Sequence, residues 1–430
     1  MKIRARPALT ALTALTACVL AGGLLQAQDT ELSPQDQAKL DTYNAFRADI
    51  ASFLPTVNFY DTAALPVTFP FREVMAHVVV DLSFDGETAL PVMLDTGAPT
   101  ILTDALIEAR GGETVFEAPG LAGGGAIVWT PTTLIPSATV QGTLAIDSLT
   151  AGSGWAADGA FYCITQHGLL GAPAMRNGIW QVDYGANEIT VAASLDQLDH
   201  IEGAIALPFT IKPGTTSPTP HVQLQVGNGT LEFVVDSGGG IPLTINTKDL
   251  ASVGVEVPES APKMTNIAGG AAGAFEFTLN ALQLPVGIAG TEITTTVFVG
   301  DGMAPGVAGN MGHMFLKDYV VTFDWASETI SLDPLATDGG LSGMTDVPAA
   351  GVGLQPDGSI MVTSMAVGGR ADEAGLVLGE TVVSINGQDV TGNGPDLFCD
   401  LSAAGIATIT TEAGQTYDVS DIEGFLAIAD

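Results

Sequence analysis

At 430 residues, 46% of them apolar and only 14% charged, the chain has room for two or three domains and is too apolar to be disordered. Against 13 Lys and Arg stand 48 Asp and Glu, a formal net charge of −35, which repels polyanions and excludes nucleic acid as a partner. The 5 His and 3 Cys show no metal-ligand spacing, so neither a metal nor another cofactor is expected, and with Cys163 and Cys399 so far apart a disulfide framework is not expected either.

Taken in chain order, the first element is an export leader. Lys2, Arg4 and Arg6 precede an apolar stretch from Ala8 to Ala17 that is too short to span a bilayer. Two processing sites compete. Leu25-Gln26-Ala27 fits ordinary cleavage, giving a signal peptide at 1–27, whereas Leu15-Thr16-Ala17-Cys18 resembles a lipobox and would leave a lipid anchor on Cys18. The continuing apolar run through Leu24-Leu25 favours the first. The expectation is a periplasmic or secreted protein, with a lipoprotein tethered through Cys18 as the alternative.

Residues 28–59 form an N-terminal extension. Ser33-Pro34-Gln35-Asp36 has the signature of a helix start, with Pro at the first helical position and an acid in the first turn. Leu40, Tyr43, Phe46, Ile50 and Phe53 follow at helical spacing. The pattern predicts a helix packed on the domain that follows, with a removable pro-segment as the other reading.

From residue 60 the sequence repeats itself. Asp95-Thr96-Gly97 recurs as Asp236-Ser237-Gly238, and Gly168-Leu169-Leu170-Gly171 as Gly309-Asn310-Met311-Gly312, both at an offset of 141. Asp183-Tyr184 and Ile189 recur as Asp324-Trp325 and Ile330 at the same offset, while Leu65-Pro66 and His77-Val78 recur earlier at 142 and 144. Short runs rich in Val, Ile and Thr between Gly turns read as strands. The expectation is therefore mainly β: two duplicated lobes at 60–198 and 199–336. In each, an apolar strand (Pro91 to Leu94, Glu232 to Val235) leads into the Asp-Thr/Ser-Gly triplet.

One such triplet is an ordinary turn sequence. Two at matched positions of a duplicated lobe are different, because a twofold arrangement brings equivalent loops face to face. Two carboxylates in contact cannot both ionise readily, so one becomes an acid and the other a base. Gly97 and Gly238 let backbone amides approach the carboxylates, and the Thr96 and Ser237 hydroxyls are placed to buttress the loop pair. These motifs resemble the pepsin and retropepsin superfamily over roughly 60–336. The resemblance implies an aspartic endopeptidase with Asp95 and Asp236 as catalytic pair, acting on peptides or unfolded proteins. It also implies that Gly168, Gly171, Gly309 and Gly312 support the catalytic loops from behind. Two lobes on one chain remove the need for a homodimer, so a monomer is expected. The sequence departs from the family at Gly239, where a hydroxyl residue is usual, and has no evident flap tyrosine. Gly120 to Gly125 and Ala268-Gly269-Gly270 compete as the flap hairpin.

A rival lies in Val235-Asp236-Ser237-Gly238-Gly239, which resembles the nucleophile segment of trypsin-like serine proteases, with His77-Val78-Val79 like the segment of their base. Against it, Val235 replaces a glycine needed for the oxyanion turn, no third triad member is evident, and the Asp95 copy is left without a purpose. A catalytically silent peptide-binding protein is the third reading. His77 and His221, at matched positions, read as structural, and His167 as a loop histidine with local hydrogen bonds.

Beyond a Gly/Asp-rich linker at 337–343, residues 344–430 closely resemble a bacterial, circularly permuted PDZ domain. The carrying segments are Gly351-Val352-Gly353-Leu354, Gly368 to Leu376, and Gly379 to Gly387. The resemblance implies a groove that takes peptide termini, with Gly351, Val352, Gly353 and Leu354 as one wall and Leu397 and Leu401, on a helix from Pro395 to Ala404, as the other. A domain that packs without binding peptide is the alternative.

Overall fold

The computed structural model describes residues 34–426 except 85, 111, 122–126, 157–158, 213–214, 271–272, 302–305 and 336–345. The readings at 1–27, Cys18, the start of the 28–59 extension, the 337–343 linker and the tips of both Gly-rich hairpins lie outside the described residues. The described chain is mainly β, in two barrel-like lobes, as the duplication predicts.

A six-stranded antiparallel sheet joins the lobes. Its order is Val67–Pro70, Glu188–Ala192, Ile179–Asp183, Tyr319–Asp324, Thr329–Pro334, Ile205–Thr210, three strands from each repeat. At its centre Gln181 pairs with Thr322, its own counterpart at the offset of 141. A local twofold axis therefore passes between these two strands. The Gln181 amide donates to Thr322 Oγ1 at 2.8 Å and to the Asp199 carbonyl at 2.7 Å, so its buried nitrogen is satisfied.

Above this sheet each repeat coils into a barrel of matched connectivity. In the first lobe Val78–Ser83, Leu90–Asp95, Gly168–Gly171, Ile101–Leu102, Leu144–Ser153 and Ile127–Val140 follow one another, and Val78–Ser83 closes onto Ile127–Val140. In the second, His221–Val226, Gly229–Asp236, Gly309–Gly312, Leu243–Asn246, Thr291–Gly300 and Gly273–Ile288 do the same, closed by His221–Val226 onto Gly273–Ile288. Leu90–Asp95 lies between an antiparallel neighbour and a parallel one, which is why Val92, Met93 and Leu94 are all buried with no alternation. The core runs continuously from one lobe to the other and holds Trp180, Phe233 and Phe323 fully buried.

The N-terminal helix is Pro34–Phe53 and packs on the first lobe. Phe53 meets Phe116 edge-on, and Lys39 reaches Glu117 at 3.2 Å and lies over Trp129. Ile50 is buried, but Phe46, read as part of the same stripe, is 56% exposed: the strands it overlies cover only part of the helix face.

The C-terminal domain has its own core of Ile360, Val362, Val382, Ile385, Phe398, Leu401 and Ile409 among others. Its strands Ala350–Leu354, Ile360–Ala366 and Thr381–Ile385 pack with the helix Pro395–Ala404. A strand pairing and a disulfide are among the contacts that bind it to the rest of the described chain. Ile360–Ala366 pairs with Lys263–Gly270 of the second lobe (Met264↔Ala366, Asn266↔Ser364). Cys163 of the first lobe forms a disulfide with Cys399 of the helix, their Cα atoms 5.1 Å apart. This corrects the expectation from sequence separation: the two cysteines lie 236 residues apart in the chain, but the domain folds back onto the first lobe.

Candidate active site

Both Asp-Thr/Ser-Gly triplets stand where a buried central strand runs out at the lobe interface. The strands Leu90–Asp95 and Gly229–Asp236 end on the aspartates, and the loops that follow meet across the twofold axis. Thr96 N–H donates to Ser237 Oγ and Ser237 N–H donates to Thr96 Oγ1, each at 3.0 Å. Each hydroxyl then donates across the axis: Thr96 Oγ1 to the Val235 carbonyl at 2.8 Å and Ser237 Oγ to the Leu94 carbonyl at 3.0 Å. These four bonds are reciprocal, buried and anchored in strand backbone, so they fix one loop against the other. At about 0.5–1.5 kcal/mol each they also hold the lobes in register.

The two aspartates are thereby brought into contact. Asp95 and Asp236 are 4% and 1% exposed. Gly97 N–H donates to Asp95 Oδ1 at 2.7 Å and Gly238 N–H to Asp236 Oδ1 at 3.0 Å. The glycines are required by space: a Cβ on Gly97 would lie 2.6 Å from the Asp236 carboxyl carbon, and one on Gly238 2.4 Å from that of Asp95. Burial, then the charge of Asp236 and a hydrogen bond with it, hold the Asp95 carboxyl well above the ordinary carboxylate range. The site can keep a proton on one carboxyl beside a second one.

The glycine motifs lie directly behind these loops. Gly168–Gly171 runs parallel to the first strand (Leu94↔Leu170, Asp95↔Gly171), and Gly309–Gly312 parallel to the second (Val235↔Met311, Asp236↔Gly312). Each lobe also steadies the other's loop. Ser217 and Thr219 donate to the Ala98 and Gly97 carbonyls, and His77 packs beside Gly240.

The twofold symmetry is broken at one residue that the sequence reading passed over. Asn310 Nδ2 donates to Asp236 Oδ2 at 2.6 Å, whereas the equivalent residue of the first lobe is Leu169. The mismatch within the two Gly-x-x-Gly motifs was the signal available in the sequence. Asn310 also stands where the missing hydroxyl at Gly239 would act: a Cβ there would lie 3.1 Å from Asp236 Oδ2 and 3.4 Å from Asn310 Nδ2. Ser237, the nucleophile of the trypsin-like rival, has its hydroxyl committed to Leu94 and Thr96 and is 2% exposed.

His77 Nδ1 lies 2.7 Å from the Met75 carbonyl, and the backbone N–H of His167 donates to Thr165 Oγ1. His221 and His313 are more consequential. His313, which follows Gly312, is fully buried against Tyr184 and 3.1 Å from Glu73. Burial lowers both imidazoles to about 4, although Glu232 and Glu73 pull the other way. A base with a folded pKa below its unfolded value of about 6.5 contributes stability above pH 6.5 that is lost as pH falls toward 4. Thermal unfolding at about pH 7 and about pH 4.5 is therefore expected to show a drop of about 1–3 kcal/mol per histidine. The double variant His221→Gln/His313→Gln should flatten it; an unchanged drop would assign acid sensitivity elsewhere.

The residues assigned to a peptide groove lie away from the aspartates, in the C-terminal domain. Leu354 and Leu401 are buried in its core, and Val352 and Leu397 are partly buried against it. Between these walls lies first-lobe chain: Gly159–Phe161 runs beside Ala350–Leu354, and Tyr162 and Cys163 pack into the same core.

No family model matches the sequence, and no curated protein matches it. Among solved structures, an aspartic proteinase from Irpex lacteus is similar at 13% identity with a TM-score of 0.42, over 65% of this chain and 100% of the other. Basic 7S globulin from soybean is similar at 11% identity with a TM-score of 0.36, over 62% of this chain and 94% of the other.

Proposed function

We propose that the protein is an exported aspartic-type endopeptidase in which Asp95 and Asp236 activate a water for attack on a peptide bond. The observation that carries this reading is the buried contact of two carboxylates at the ends of duplicated strands, locked by the Thr96–Ser237 exchange. A proton resident on Asp95 gives the pair its acid, and Asn310 donates a hydrogen bond to Asp236. Asp236 takes a proton from the water as its oxygen bonds to the carbonyl carbon, while Asp95 gives its proton to the carbonyl oxygen. Asp236 then passes its new proton to the nitrogen, the C–N bond breaks as Asp95 takes a proton back from a hydroxyl of the tetrahedral adduct, and an acid and an amine leave with the pair restored.

The substrate is an extended peptide or unfolded protein, since a bond must reach carboxylates buried between two lobes. The C-terminal domain, read as a PDZ domain, recruits or gates such peptides. The silent peptide-binding alternative keeps the same cleft, but it gives no reason for two aspartates in contact, an arrangement that costs stability through burial and like charge.

The test is cleavage of an unfolded protein across acidic to neutral pH, with and without a hydroxyl-bearing statine-type mimic of the tetrahedral adduct. Activity is expected to fall as pH rises through the elevated pKa of Asp95, because the dyad then loses its acid. The mimic is expected to inhibit. Ser237→Ala should retain appreciable cleavage; complete dependence on Ser237 with no effect at Asp95 would overturn the reading in favour of a serine nucleophile.

A further inference from the structure

The C-terminal domain presents a sheet edge beside a helix. Ala350–Leu354 pairs along one side with Ile360–Ala366, and no other described strand pairs with it. An edge of this kind exposes unpaired backbone N–H and C=O groups and accepts an added strand. Its free side faces Gly159–Phe161 of the first lobe, so close that a Cβ on Gly159 would sit 3.4 Å from the Leu354 carbonyl oxygen.

The same segment is fastened to the opposite wall twice. Tyr162 O–H donates to Asp396 Oδ1 at 3.1 Å, and Cys163 is bonded to Cys399. Asp396 and Cys399 are three apart in the Pro395–Ala404 helix, hence on one face of it. Tyr162 and Cys163 also pack against the domain core together with Val352 and Leu397. A short stretch of first-lobe chain, carrying an aromatic ring, thus lies between strand and helix.

We propose that the groove between Ala350–Leu354 and the Pro395–Ala404 helix is a docking surface for an extended, aromatic-bearing peptide, kept shut by the chain's own Gly159–Cys163 segment until the Cys163–Cys399 disulfide is reduced. The inference rests on the peptide-groove reading of the C-terminal domain and not on the aspartate pair. A covalently held segment cannot be displaced by free peptide. Once the bond is open it competes only as a tethered ligand at a finite effective concentration. Both cysteines are partly exposed, so a reductant has access. The reaction is exchange with a dithiol: one thiolate attacks a cystine sulfur, the second resolves the mixed disulfide, and two electrons and two protons leave Cys163 and Cys399 as thiols and the dithiol as a disulfide.

The experiment is fluorescence anisotropy of a labelled Gly-Ala-Phe-Tyr peptide, the sequence of residues 159–162, with the full chain. Oxidised protein is expected not to bind. Protein treated with dithiothreitol, and the oxidation-proof variant Tyr162→Ala/Cys163→Ser, should bind saturably, at least about tenfold more tightly, with unlabelled peptide competing. Near-ultraviolet circular dichroism establishes that the variant is folded. Equal binding by oxidised wild type overturns the occlusion. Hydrogen exchange at residues 350–354 separates the remaining failures. Faster exchange in the variant without peptide binding overturns the docking surface while leaving the occlusion; unchanged exchange without binding overturns both. Neither readout depends on peptide cleavage, so loss of the endopeptidase reading would not be mistaken for loss of this one.

Discussion

Asp95→Asn and Asp236→Asn are each expected to lower kcat/KM for an unfolded protein substrate by at least about 10³-fold, because each removes one half of the acid–base pair. The double variant should be little worse than either single one, since groups acting as a unit do not contribute additively. Stability should move the other way for Asp95→Asn. Its carboxyl is buried against another carboxyl, and an amide relieves that conflict at neutral pH without changing volume, so the unfolding temperature should hold or rise. Loss of activity with a retained fold is the signature of a dyad; loss of both would mean a structural role. Asn310→Leu, which gives the second lobe the residue of the first, removes the donor at 2.6 Å from Asp236 Oδ2. A charge-assisted hydrogen bond of this kind corresponds to about a 10–100-fold loss in kcat. Full activity in Asn310→Leu would assign the asymmetry of the pair to some other group.

What the sequence made legible was whatever the duplication records twice. The offset of 141 between the triplets reappears as the hydrogen bonds between Thr96 and Ser237 and as the pairing of Gln181 with Thr322 across the axis. A repeat offset in sequence is a symmetry operation in space, so both lobes and their meeting point could be read without a structure. Features that occur once were harder. Asn310 is visible only as a mismatch within the repeat, and nothing in its own neighbourhood says which carboxylate it faces. The Cys163–Cys399 bond depends on how the C-terminal domain docks, a relation between units that local sequence does not encode. The exposure of Phe46 has the same origin: helical spacing fixes which residues share a face, but not how much of that face the neighbouring strands cover.

Gly312→Ala and Gly171→Ala are expected to be among the most destabilising single-carbon additions in the two lobes, by about 3–5 kcal/mol or to the point of preventing folding. A Cβ on Gly312 would lie 2.0 Å from the Ile241 carbonyl oxygen and 2.5 Å from that of Gly239; on Gly171 it would lie 2.2 Å from the Pro99 carbonyl carbon and 2.3 Å from the Ala98 oxygen. The obstructing atoms are all backbone, so no side chain can rotate away. That backbone is itself pinned: Gly312 N–H donates to Pro242 and His313 N–H to Gly239, each at 2.7 Å, and Ala172 N–H donates to Ala98 at 3.0 Å. Relief therefore requires moving the loops that carry Asp95 and Asp236. Gly86→Ala is the control, at φ 76° with open space around it, where only backbone strain of about 1 kcal/mol is added. Urea midpoints measured on all three decide the matter. If Gly312→Ala proves as mild as Gly86→Ala, the strand behind the loop is not what holds it. If Gly312→Ala folds but loses cleavage, a displacement of about 1 Å has separated two carboxylates whose chemistry depends on contact.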